Sequence, residues 1–140
     1  MKRTLVALAA LGLGFSGVAL FVAKGVEKVD SRIFELRTYE SAPGKMEALQ
    51  ARFRDHTCEL FEKHRMTVID FWSPTDVQLA QRKLVYLLAF PSQEAAVKSW
   101  ADFQADPEWK AVKEASERDG KLAEKIESVF LRPTDYSPLK

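Results

Sequence analysis

Asparagine is absent from this 140-residue chain, and cysteine occurs once, at Cys58. Without asparagine there is no acceptor for an N-linked glycan. A single cysteine permits no intrachain disulfide and excludes a zinc site built on several thiolates. His56 and His64 are the whole supply of imidazole. An excess of one charge is lacking too: 21 basic side chains stand against 20 acidic ones, a formal net charge of +1. The signs alternate along the helical stretches, so no basic patch is present and no nucleic-acid partner is expected. No P-loop, HExxH, GxSxG or CxxC occurs, and no metal site is expected. What remains is ordinary for a globular chain, with 46% apolar and 29% charged residues and length enough for one domain.

The N-terminus reads as an address. Met1-Lys2-Arg3 is basic, and Leu5 to Ala23 carries no charge. As a helix that run spans roughly 28 Å, just enough to cross a bilayer. Gly12, Gly14, Ser16 and Gly17 interrupt its second half. Residues 1–23 are therefore expected to be a signal peptide or an N-terminal membrane anchor, with a buried helix as the third alternative. Either of the first two places the rest outside the cytoplasm, in the periplasm or the extracellular space, or anchored to the membrane. Gly12-Leu13-Gly14 is no nucleotide fingerprint, since no strand–turn–helix unit surrounds it. Residues 24–31 form a charged linker, and 32–138 form the domain.

Arg32 to Glu40 alternates as a strand, with Phe34, Leu36 and Thr38 on one face and Ile33, Glu35, Arg37 and Tyr39 on the other. The first set is expected to hold the helices. The second, with its charges and phenol, is expected on the open face. Pro43-Gly44 makes a turn, and a helix follows over about 45–65, with Met46, Leu49, Phe53, Leu60 and His64 near one line. His56 falls at the edge of that stripe, Cys58 points toward the polar side, and Arg52 and Arg54 belong to a solvated face. Strands are expected over 66–73, with Val68, Asp70 and Trp72 sharing a face, and over 83–90. The second is apolar on both faces and so central. A polar connection joins them. Ser92 caps a helix that buries Val97, Trp100 and Phe103. Asp106-Pro107 starts another, with Trp109, Val112 and Ala115 as its stripe, and Gly120 stops it. A last strand covers 122–132.

The order β-α-β-β-α-β is the ferredoxin-like arrangement, an α+β fold with an antiparallel sheet. Helices on one side leave the other sheet face to be covered, and a face-to-face homodimer is the simplest cover.

Phe34-Glu35-Leu36-Arg37-Thr38-Tyr39 with Pro43-Gly44-Lys45 resembles the opening motif of NIPSNAP-family proteins. Phe71-Trp72, Leu84 to Phe90, Asp106-Pro107-Glu108-Trp109 and Leu131 to Pro138 continue the likeness, in order, across 32–138. The resemblance implies a dimeric α+β barrel. It implies no settled activity: eukaryotic relatives are associated with mitochondria, vesicle-related processes and protein interactions. Members of the wider barrel superfamily include cofactor-independent monooxygenases and haem-handling proteins. The chain departs from the family at Arg65, where a helix-ending glycine is common. The leader points to an exported, bacterial member, so mitochondrial roles are not carried over.

Candidate chemistry is scattered. His64 or His56 would serve as a general base, or as an axial haem ligand, in a cavity between helix and sheet. Each also reads plainly as a packed or dipole-bound histidine. Tyr39, Asp70, Trp72, Tyr86 and Trp109 are the candidate ligand-binding residues, and the aromatics among them are equally core material. Glu35, Arg37 and Tyr39 are the candidate dimer-interface residues. No cofactor is required by any motif, haem being the one to consider. The leading expectation is an exported, non-enzymatic homodimer that binds a small apolar molecule or a protein partner. A cofactor-independent oxygenase and a haem-binding module are the alternatives.

Overall fold

The computed structural model describes residues 32–140, so the leader and linker expected over 1–31 lie outside it. Strand β1 (Ile33–Ser41) passes through a turn at Gly44, whose φ of +70° suits a residue without Cβ, into a long helical segment. That segment comprises α1 (Met46–Arg52), a π turn (Phe53–Thr57) and α2 (Cys58–Lys63). Strands β2 (Thr67–Trp72) and β3 (Lys83–Phe90) follow, then helices α4 (Gln93–Ala105) and α5 (Pro107–Ser116), and strand β4 (Ala123–Leu131). The stretch expected as a plain connection contains the short helix α3 (Val77–Ala80), because Asp76 accepts the Leu79 N–H at 2.9 Å and caps it. The sheet order is β2-β3-β1-β4, with every neighbouring pair antiparallel. This is the ferredoxin-like arrangement expected from the element order, with β3 central.

The two faces of β1 are reversed from expectation. Ile33, Glu35, Arg37 and Tyr39 lie opposite Phe90, Leu88, Tyr86 and Leu84, all of them beneath the helices and all buried except the half-buried Arg37. Phe34, Leu36 and Thr38 share the open face with Ala89, Leu87 and Val85. Alternation separates two faces but does not say which one is covered. Charge was the misleading cue, since Glu35 is buried with three donors around it: Arg37, Trp100 and Ser128. Glu35, Arg37 and Tyr39 therefore face away from the surface on which a face-to-face partner would sit.

Two further departures come from irregular backbone. A β-bulge between Val68 and Asp70 shifts the phase of β2, so Val68 and Phe71 both pack on the core while Asp70 and Trp72 are exposed. In the helix, the Cys58 N–H bonds to the Phe53 carbonyl five residues back, and the turn widens. The extra residue turns Thr57 inward and His56 outward. Thr57 Oγ1 then donates to the Arg52 carbonyl at 3.1 Å. Buried positions run Met46, Leu49, Arg52, Phe53, Thr57, Leu60 and Phe61, while His56 is left exposed.

The long helix ends in a Schellman turn. Met66 N–H reaches the Phe61 carbonyl, Arg65 N–H reaches that of Glu62, and Arg65 takes the left-handed φ of +61° usually left to glycine. In α4 the inward residues are Ala96, Ser99 and Phe103 with Trp100 half-buried, while Val97 points to solvent. Positions 96, 99, 100 and 103 form one i, i+3, i+4, i+7 face, and Val97 lies off it. Between helices and sheet, Phe53, Phe61, Tyr86 and Phe103 form a continuous aromatic core. Each large apolar side chain so enclosed contributes about 1.5–3 kcal/mol.

Candidate functional site

Along the β2 edge of the sheet, the π turn leaves a cleft of about 380 Å³. Phe53, Phe71, Trp72 and Leu84 make its apolar wall. Gln50, Arg54, Cys58 and Ser73 supply the rest of its lining. Residues 50, 54 and 58 are spaced four apart, and the wide turn brings Cys58 round to the same side as Phe53, not to the opposite polar side. The edge-to-face pair Phe53–Phe71, at 5.5 Å between ring centres, forms the floor shared with the core. Trp72 is 45% exposed, a large aromatic surface left to water. Burial, with Glu62 nearby, pushes the Cys58 thiol up, so the sulfur is a neutral part of the wall at neutral pH.

A second polar group lies under α4. Glu35 accepts from Arg37 Nη1 at 2.7 Å, Trp100 Nε1 at 2.6 Å and Ser128 Oγ at 2.5 Å. The Arg37 guanidinium lies 4.2 Å from the centre of the Trp100 ring. Across the strand from Arg37, the fully buried Tyr86 phenol is pushed well up, by burial and then by the Tyr39 phenol beside it. The geometry is that of a fixed structural ion pair, and the packed aromatic rings leave little room for a substrate.

A third group joins helices. Asp106 Oδ1 caps α5 by accepting the Glu108 N–H at 2.8 Å. Its Oδ2 lies 2.6 Å from His64 Nε2 and 2.8 Å from Lys63 Nζ. These partners hold the Asp106 carboxyl well below the usual carboxylate range, Lys63 contributing most.

The residues singled out in the sequence do not converge. His64 is half-buried at Asp106, edge-on to Phe103, at the far end of the long helix from the cleft. His56 is exposed in a groove between α1 and α5, beside Asp55 and Val112. Neither histidine occupies a cavity between helix and sheet, because the π turn moves one outward and the helix end holds the other. Tyr39 and Tyr86 are core. Asp70 is exposed and accepts the N–H of Phe71. Trp109 packs at 4.5 Å on Phe103, with the Arg52 guanidinium 5.2 Å from its ring. Only Trp72 of that set lines the cleft. Arg52, expected on a solvated face, is buried with Glu117 at 2.9 Å. Gln50 and Arg54 were missed as cleft residues; their i, i+4 spacing with Cys58 was the available signal. Among the described residues no cluster of three or more His, Cys, Asp or Glu is placed to hold a metal, and no helix is long and apolar enough to cross a membrane.

The NIPSNAP family model matches residues 34–138. A NIPSNAP family protein of unknown function from Agrobacterium tumefaciens superposes with a TM-score of 0.68 at 24% identity, over 80% of this chain and 96% of that one. A second protein of that family from the same organism gives 0.68 at 22% identity, over 78% and 99%. A NIPSNAP-like domain protein from Burkholderia xenovorans gives 0.66 at 20% identity, over 78% and 90%. At these identities the likeness is one of fold. No curated protein matches the chain.

Proposed function

The chain belongs to the NIPSNAP family, and from that premise we propose that it is an exported, non-enzymatic homodimer that binds a small apolar molecule. The observation that carries the binding reading is the cleft. Its volume lies within the range of small-molecule sites, roughly 300–1,000 Å³, and its wall is mostly aromatic. Catalysis has less support. His64 is committed to Asp106 and His56 stands in an outer groove, so neither reaches the cleft.

The dimer reading rests on the open sheet face. Leu36, Val85 and Leu87 are half-buried there without helices above them, and Val129 and Leu131 are exposed beside them. Glu40, Lys83, Lys125 and Glu127 gather toward one end of the same face. An apolar centre with a charged margin is the composition of an interface between subunits. At the opposite end Phe34 is buried and shares a small cavity with Pro133, Ser137 and Leu139 of the tail. The contact row offered to a partner is thus Leu36, Leu87 and Val129, in place of Glu35, Arg37 and Tyr39.

Four measurements test the reading. Mass spectrometry of the purified protein should find a small apolar molecule that dissociates on unfolding, and repeated preparations without one count against it. Sedimentation at micromolar concentration should give a dimer that Leu87→Lys converts to monomer, and a monomeric wild type removes the dimer. The intact mass should lack the residues before the linker or show a membrane-held full chain, whereas a soluble cytoplasmic full chain removes export. A Soret band on haem titration would move the reading to a haem module.

A further inference from the structure

We propose that the cleft beside the π turn selects a small aromatic acid, a flat ring bearing a carboxylate, with Arg54 as the anchor for the charge. This deepens the small-molecule reading above and rests on it. Arg54 is exposed and has no ion-pair or hydrogen-bond partner among the described residues. Arg52, two positions earlier, is already held by Glu117 and Trp109. Among the eight lining residues Arg54 alone carries a formal charge. Nothing in that lining repels an anion: Cys58 is kept as the neutral thiol, and Glu62, which acts on it, is not a lining residue. Gln50, one helical turn before Arg54, offers an amide donor to the same group.

The rest of the ligand is indicated by the wall. Three of its four large apolar residues are aromatic, and they present ring faces and edges to a guest. Trp72 keeps nearly half its surface in water until something covers it. A guanidinium at an apolar wall forms charge-assisted, forked bonds to a carboxylate, and an uncharged guest leaves that bonding unused.

The test uses the full chain with 2-naphthoate, its uncharged analogue 2-naphthamide, and decanoate, followed by calorimetry. The chain's only cysteine reports the location: occupancy of the cleft should slow alkylation of Cys58 by iodoacetamide. The expected result is 2-naphthoate binding about ten-fold or more tighter than 2-naphthamide, with Cys58 protected. Arg54→Gln should remove most of that preference by weakening 2-naphthoate far more than 2-naphthamide, whereas a fold defect would weaken both alike. Equal affinity for acid and amide, or no effect of Arg54→Gln, overturns the anion anchor and leaves a cleft that binds apolar molecules. Decanoate matching 2-naphthoate overturns the aromatic selection. Binding without protection of Cys58 overturns the location. No binding of any probe removes this inference, while the search for a co-purifying molecule still decides the broader reading.

Discussion

Thr57 Oγ1 donates to the carbonyl oxygen of Arg52, five residues back, and so closes the wide turn that interrupts the first helix. The hydroxyl lies in the core, where one net hydrogen bond contributes about 0.5–1.5 kcal/mol. Thr57→Val keeps the shape and removes the donor. It should destabilise the protein by about 1 kcal/mol in urea unfolding. An unchanged midpoint means the turn holds without this bond.

Glu35 and Arg37 form a buried ion pair that Trp100 and Ser128 complete. Removing one partner leaves the other charged and enclosed. Glu35→Ala should cost about 3–5 kcal/mol, and Glu35→Leu combined with Arg37→Met should recover much of the loss. A double-mutant cycle by denaturation measures the coupling, and additive losses would show that the two residues do not act as a pair.

Arg65 ends the helix in a left-handed conformation in which Cβ is unfavourable. Arg65→Gly relieves it at an exposed position without a large packing change. The melting temperature should rise, with a gain of about 1 kcal/mol. A fall instead would mean that the arginine side chain contributes more than its backbone costs.

Asp106 has its carboxyl held low in the folded protein by Lys63, His64 and the Glu108 N–H. The unfolded chain therefore takes up this proton first as pH falls. The stabilisation is fully present above about pH 4 and is lost as pH drops below it toward the folded value. Unfolding midpoints measured from pH 6 to pH 2 should decline, and Asp106→Asn should flatten that decline while lowering stability at pH 6. A variant with the same acid slope as wild type removes Asp106 from the effect.

The element order was readable because β1, β3 and the caps at Ser92 and Asp106 each agree locally with the fold. Ser92 does cap α4, and Asp106-Pro107 does start α5. Three features were hidden, each for a physical reason. On a 3.6-residue period His56 and Thr57 lie on opposite edges of the apolar stripe, about equally far from its centre, so the period cannot say that Thr57 is the one buried. A two-residue period cannot register the bulge in β2, which parts Val68 from Asp70 and Trp72. Alternation in β1 is symmetric, and it took the donors of α4 and β4, remote in sequence, to make Glu35 an inside residue. The cleft inherits the first two errors: its wall depends on where Phe53, Cys58 and Phe71 face, and Phe53 and Cys58 bound the wide turn while Phe71 follows the bulge.

The left-handed arginine also has a bearing on what mutation can reach. Every arginine codon lies a single base change from a glycine codon. If Arg65→Gly raises stability as expected, a more stable protein is one nucleotide away and the chain nonetheless carries arginine. That is the state of a protein held above a threshold and not driven to an optimum. Position 65 would then serve a directed-evolution experiment as an internal standard: under selection for heat resistance alone, glycine should be among the first replacements to rise there.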